Sequence, residues 1–434
     1  MKNWMSRTTL KLAAFLLIVT PAFAETKYEV WAIDQSNSLG FTYGGTIYIY
    51  DGKDLERGRD ADRAVPEKVD LRGAASTFCL NLTGANPVRP HMIAMNASNT
   101  HAIISFVASG HVLIMNAASR TPVACIRTSV GTTGARQVHF AVPSPDETYI
   151  AVANQNGKLF ERIDTDYDTN TFVLNTAAVI NLATCTTPNG VACELANVRP
   201  DNAPICPLIE STSQYTFVTL RGGGLFIVDA KRTPMQIVAE YDRNVVRPNG
   251  CLGVQLGPKM YVDSGGGTAA QLFGAHLYVF PVTGFSPLNP PNTPVPQIIL
   301  STNEEESDAH GATLTKKGKY LWMADRGRNF IWVIDTDTDR IAGIIPLEGP
   351  PSSDPTPDLL ATSPNGSHVF MSMRGPNPLT ADPHVSTGST PGVGVIKVLE
   401  GGRNGFFEAV APASNRDAGG VERADIHAMT IRLK

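Results

Sequence analysis

The chain has 434 residues, of which 42% are hydrophobic and 18% charged, with a formal net charge of −4. That charge excludes the basic footprint of a nucleic-acid-binding protein and the cationic face that seeks an anionic membrane. Gly (38) and Pro (31) together are about one residue in six, which suits a chain of many tight turns better than a helical one.

The first element is an export signal. Lys2, Arg7 and Lys11 form a basic region, and LAAFLLIVT (12–20) is an apolar run too short to span a bilayer. Pro21-Ala22-Phe23-Ala24 ends in an A-x-A cleavage site before Glu25. Residues 1–24 are therefore set apart from the fold. Residues 25–434 contain no run of 18 consecutive apolar residues. These features predict a chain exported to a bacterial periplasm, with no membrane span in the mature form. Six cysteines fit that oxidising compartment. Cys185 and Cys193 flank the short Pro-Asn-Gly turn of CTTPNGVAC and are the easiest pair to join.

Beyond the signal the chain reads as short strands. YEVWAIDQ (28–35) and GTIYIYDG (45–52), divided by a Gly-rich turn, match the second and third strands of a unit whose first is missing. Further units begin at His91 (HMIAMNASNTHAIISFVASGHVLIMN), at His139 (HFAVPSPDETYIAVANQNGKLFERID) and at Cys206 (CPLIESTSQYTFVTLRGGGLFIVDAK). LGVQLGPKMYVDSGGG follows Cys251, and LYVFPV (277–282) continues it. Residues 308–347, DAHGATLTKKGKYLWMADRGRNFIWVIDTDTDRIAGIIPL, give the frame in full: four antiparallel strands in about 40 residues, with no helical period. DLLATSPNGSHVFMSMRG opens the next unit at Asp358. RADIHAMTIRLK (423–434) then supplies the strand that residues 28–52 lack, so the chain's end closes a ring. A four-strand period of about 40–50 residues is the mark of a β-propeller. The expectation is one all-β domain over 25–434, a seven-bladed propeller with no open sheet edge. The repeat also pairs Cys79 with Cys125 and Cys206 with Cys251.

FIWVIDTDTDRIAGIIPL and ATSPNGSHVFMSM resemble the YVTN-type β-propeller repeat, in which a V-x-D-x-x-T-x-x-V strand pair precedes an S-P-D-G-turn strand. The resemblance is clear in the last two units and at 139–152 and degraded elsewhere. It implies the architecture found in the N-terminal domain of nitrous oxide reductase and in lactonases of the phosphogluconolactonase kind. It carries fold and not reaction, because one propeller hosts many chemistries.

Function has to come from the ring. The second strands open on His101, Tyr149, Tyr215, Tyr261, Tyr320 and His368, and ten residues earlier stand His91, His139, Ile205, Cys251, His310 and Asp358. The closing strand adds His427, matched by its likeness IHAMT to AHGAT. Inner strands line a propeller's channel, so His310, Asp358, His427, His91 and His139 form one contiguous arc. A single ring histidine is most simply bonded to neighbouring backbone. Four of the nine histidines at one register suggest instead a metal site for copper or iron. Asp358 stands at the ring as a ligand or base. Asp308 and Asp425 precede His310 and His427 by two residues, where a strand puts both side chains on one face, ready to orient an imidazole or move a proton. Arg89 and Gln137, also two before a His, suit an anionic substrate, whereas Arg326 and Arg374 suit blade-to-blade salt bridges. No nucleophile elbow, Walker A, Rossmann glycine fingerprint or C-x-x-C-H haem site occurs.

Three functions fit these residues. The first is a periplasmic copper or iron oxidoreductase, acting on a small substrate with a periplasmic electron carrier. Its metal ligands are His91, His139, His310 and His427, and Asp358, Asp308 and Asp425 handle protons. The second is a metal-free binding scaffold. The third is a lactonase-type hydrolase.

Overall fold

The computed structural model of this chain describes Met1 and residues 26–268, 271–288, 291–379 and 385–434. The export signal expected over residues 1–24 lies outside the described residues apart from Met1, as does His384. Among the described residues no helix is long and apolar enough to cross a membrane.

Strands dominate because the apolar runs are short and punctuated. The turn Asp335-Thr336-Asp337-Thr338 shows how: the Asp335 carboxylate accepts from the Asp337 and Thr338 amides at 3.0 and 3.1 Å, an Asx turn that reverses the chain. Asp166 and Asn116 do the same at the equivalent point of their units. Strands between such turns differ by position. Tyr149–Asn154 and His368–Met373 are buried along their whole length, since neighbouring sheets cover both faces. Arg340–Pro346, at an outer edge, is mostly exposed.

Seven antiparallel sheets result. In blade 1 the C-terminal strand Ile426–Leu433 precedes Tyr28–Asp34, Thr46–Asp51 and Glu67–Asp70. The inner strands of blades 2 to 7 are Pro90–Met95, Val138–Pro143, Pro204–Ile209, Gly253–Leu256, Ala309–Leu314 and Pro357–Thr362. Blade 3 has one extra strand, Ile180–Asn181. Ring closure runs in register from Tyr28 opposite Leu433 to Ile33 opposite Ala428. The seven-bladed, all-β architecture read from the sequence is the one observed.

Two features depart from the sequence reading. A helix, Ala74–Thr83, fills the stretch between blades 1 and 2, and its Cys79 is disulfide-bonded to Cys125 on the outer strand Thr121–Arg127. Cys185–Cys193 is also bonded. The expected Cys206–Cys251 bond is absent: the two buried thiols touch with their sulfurs 3.1 Å apart. That separation is well beyond the about 2.05 Å of a disulfide, so both sulfurs stand as thiols.

Candidate functional site

The inner strands do more than line the axis. In six of the seven blades the pairing between inner and second strand slips at the ring position. Pro90 pairs with Phe106 and Met92 with Ser105, so His91 is left over. His139, His310 and His427 are skipped in the same way. Asp358 lies in the wider slip between Pro357 and Leu360. A β-bulge leaves its extra residue unpaired and re-aims the side chain. Here it turns each histidine off the ladder and into the channel. The amides released by two of these slips are satisfied from the second strand, by Ser372 Oγ bonding the Leu359 N–H at 2.8 Å and Thr219 Oγ1 bonding that of Cys206 at 3.1 Å.

Close strand approach needs Gly311. A Cβ there would lie 2.3 Å from the Asp358 carbonyl oxygen, so only glycine lets the inner strands of blades 6 and 7 meet beside His310. His310 Nε2 then approaches Asp358 Oδ1 to 3.2 Å, out of hydrogen-bond alignment, and His427 Nε2 lies 3.8 Å from Asp358 Oδ2. His91 and His139 form a second group, with their Nε2 atoms 3.2 Å apart. The His91 ring stacks on His427 with centroids 3.8 Å apart and links the two groups. His139 Nδ1 lies 3.9 Å from Cys206 Sγ.

The carboxylates of Asp308 and Asp425 do not orient imidazoles. Asp425 takes a two-pronged contact from Arg374, Nε to Oδ1 at 2.6 Å and Nη2 to Oδ2 at 2.8 Å. Asp308 Oδ2 accepts from Arg326 Nε. The bulge is the reason, since an extra residue breaks the rule that positions two apart share a face. Both arginines also reach Asp358 Oδ2, Arg374 at 2.9 Å and Arg326 at 3.5 Å. They are the blade-to-blade bridges expected, and they line the site as well.

That site is a cavity of about 220 Å³ at the channel mouth. Its walls include all four ring histidines, Asp308, Arg326 and Arg374, with Gln35, Gln155 and Ser386 at the edge. Arg89 and Gln137 are not among them. Gly266, Gly267 and Phe273, from the long hairpin of blade 5, overhang it. The sequence reading missed the glutamines and this overhang, because only the folded loops bring them to the axis. Ser386 comes from the connection between the strands His368–Met373 and Gly392–Leu399.

Burial governs the charges. It pushes His310 down to about 3 and His139 to about 4, and holds His91 and His427 well below their ordinary value, with help from neighbouring imidazoles and arginines. All four rings are neutral at pH 7. Burial raises Asp308 to about 7 against the pull of Arg326. For Asp358 burial works upward, but His310, Arg326 and Arg374 outweigh it and keep the carboxyl low. The cavity thus offers neutral nitrogens and fixed cations, while the anionic Asp358 carboxylate is held by Arg326 and Arg374 outside its lining. His310 Nδ1 and Nε2, His91 Nδ1, His427 Nδ1 and Asp358 Oδ1 have no hydrogen-bond partner among the described residues.

No family model matches the sequence, and no curated protein is similar to it. Solved structures share the fold. A periplasmic gluconolactonase from Pseudomonas aeruginosa has TM-score 0.57 and 14% identity, covering 94% of this chain and 99% of its own. A putative 6-phosphogluconolactonase from Bacteroides fragilis has TM-score 0.56 and 10% identity, covering 95% and 99%. The β-propeller domain of Cps50 (Swd1) from Myceliophteria thermophila has TM-score 0.52 and 12% identity, covering 79% and 96%. At such identities the likeness is one of fold alone.

Proposed function

We propose that this chain is an exported hydrolase that opens small cyclic esters in the channel cavity. The observation that carries this reading is the meeting of partnerless imidazole nitrogens and two carboxylate-anchored guanidiniums in one space of about 220 Å³. Lactone opening needs a proton acceptor beside water and a cation beside the carbonyl oxygen. Water attacks the carbonyl carbon and passes a proton to a His310 nitrogen, while Asp358 steadies the resulting imidazolium. The oxyanion faces Arg326 and Arg374. The ring C–O bond then breaks, the alkoxide takes back the proton, and a hydroxy acid leaves. The likeness in fold to a periplasmic gluconolactonase and to a putative 6-phosphogluconolactonase supports this reading. Two disulfides support a periplasmic setting. The copper or iron oxidoreductase reading draws on the same histidines, and no further observation favours it or its electron carrier over hydrolysis.

The test is turnover of a panel of γ- and δ-lactones, glucono-δ-lactone included, followed by acid release. Hydrolysis by the wild type should fall at least about 100-fold in His310→Ala, the range lost with an acid–base group. A folded wild type inert towards every lactone sinks the hydrolase reading and leaves a binding scaffold.

A further inference from the structure

We infer that the channel binds one divalent first-row transition-metal ion of the zinc type on His310, His427 and Asp358. Among the described residues these three offer ligand atoms that all lie within 4.8 Å of one another. A tetrahedral ion with bonds of about 2.0–2.1 Å sets its donors about 3.3 Å apart. Asp358 Oδ1 lies 3.2 Å from His310 Nε2, close to that value, and His427 Nε2 lies 3.8 Å from the other oxygen, Oδ2. The donors converge without bonding one another: both His310 nitrogens and Asp358 Oδ1 are buried and partnerless. Leaving such groups unsatisfied is costly, and one cation would engage His310 Nε2 and Asp358 Oδ1 together.

Charge points the same way. Arg326 also bridges Asp308 and Arg374 also bridges Asp425, so two guanidiniums face three carboxylates. The two guanidiniums grip Asp358 Oδ2 and leave Oδ1 to the imidazoles. They act as outer partners that fix a ligand's orientation. The donor set is two imidazoles and one carboxylate, with the His91 and His139 rings alongside. Nitrogen of this kind selects zinc, copper, nickel or iron over calcium and magnesium, which take oxygen. Three protein donors leave a coordination position open to water, and a bound water of this kind ionises near neutral pH. The ion's part in ester opening rests on the hydrolase reading; its binding does not.

The experiment uses the full exported chain, purified without chelator or affinity-tag histidines. Elemental mass spectrometry should find about one transition-metal ion per chain. After metal removal, calorimetric titration should show one zinc site, no comparable calcium site, and a rise in melting temperature with zinc. His310→Ala/His427→Ala should weaken zinc binding more than about 100-fold, beyond the loss typical of an outer partner. If that variant fails to fold, His427→Gln should show the same loss with its fold kept. The proposal is overturned if folded wild type neither carries a metal nor binds zinc, copper, nickel or iron. Calcium binding as tight as zinc overturns it equally, as does zinc binding unchanged in the variants. Metal-free protein that still opens lactones removes the ion from the reaction and leaves the hydrolase standing. Metal-loaded protein that opens none does the reverse.

Discussion

Replacing Glu29 by glutamine should weaken the closure of the ring in a way that pH reveals. Glu29 sits on the N-terminal strand of blade 1. Its carboxylate accepts from Arg432 at 3.0 Å and pairs with Lys434 at 3.0 Å, both at the C-terminal end of the chain. Arg120 of blade 2 reaches it at 2.6 Å, and Trp31 Nε1 donates at 2.9 Å. Burial alone would raise this carboxyl, but the Trp31 bond and the three cations outweigh it and bring the pKa from 4.5 to about 2. At about 1.4 kcal/mol per pH unit, that difference is worth about 3 kcal/mol to the folded state. The sign follows from the lowered value. The stabilisation is complete above 4.5, the unfolded value, and fades as pH falls towards about 2. Urea unfolding of wild type and Glu29→Gln, followed by tryptophan fluorescence, should therefore show a gap of about 3 kcal/mol near neutral pH that shrinks steadily in acid. A variant as stable as wild type at neutral pH, or a gap that persists undiminished in acid, would falsify the view that this carboxylate fastens the two chain ends.

Other expectations concern the site. Gly311→Ala should push the inner strands of blades 6 and 7 apart at a cost of about 1–3 kcal/mol, the range for overpacking. Because His310 and Asp358 separate with them, lactone turnover should fall more than melting temperature alone explains; unchanged turnover would show that their closeness is not needed. Arg374→Met leaves buried Asp425 without its guanidinium and buried Asp358 with Arg326 alone, and should cost about 3–5 kcal/mol. The pair Arg374→Met/Asp425→Asn should recover part of that loss, and no recovery would show that Asp425 is not the strained partner. Alkylation of the unfolded, unreduced protein followed by mass spectrometry should label Cys206 and Cys251 and none of the other four cysteines. Absence of label there would mean that the touching thiols are bonded.

Much of this protein is legible in its sequence because its fold is periodic. Strand-length apolar runs and recurring Asx turns such as that at Asp335 fix the four-strand unit locally. Counting units then leaves IHAMTIRLK as the partner that YEVWAID lacks. The register that aligned His91, His139, His310 and His427 was equally a matter of counting. What counting could not supply is direction. The D-x-H spacing put Asp308 and Asp425 beside the imidazoles only on a regular strand. The bulges that turn the histidines inward send those carboxylates to Arg326 and Arg374 instead, and a slip of pairing depends on the partner strand. The split into His310–Asp358–His427 and His91–His139 depends likewise on how closely blades 6, 7 and 1 pack, where Gly311 and not a ligand residue sets the distance. Sequence decides which residues reach the axis, since that follows from the repeat. Tertiary structure decides which of them touch, since contact across the channel is made between blades that no local pattern relates.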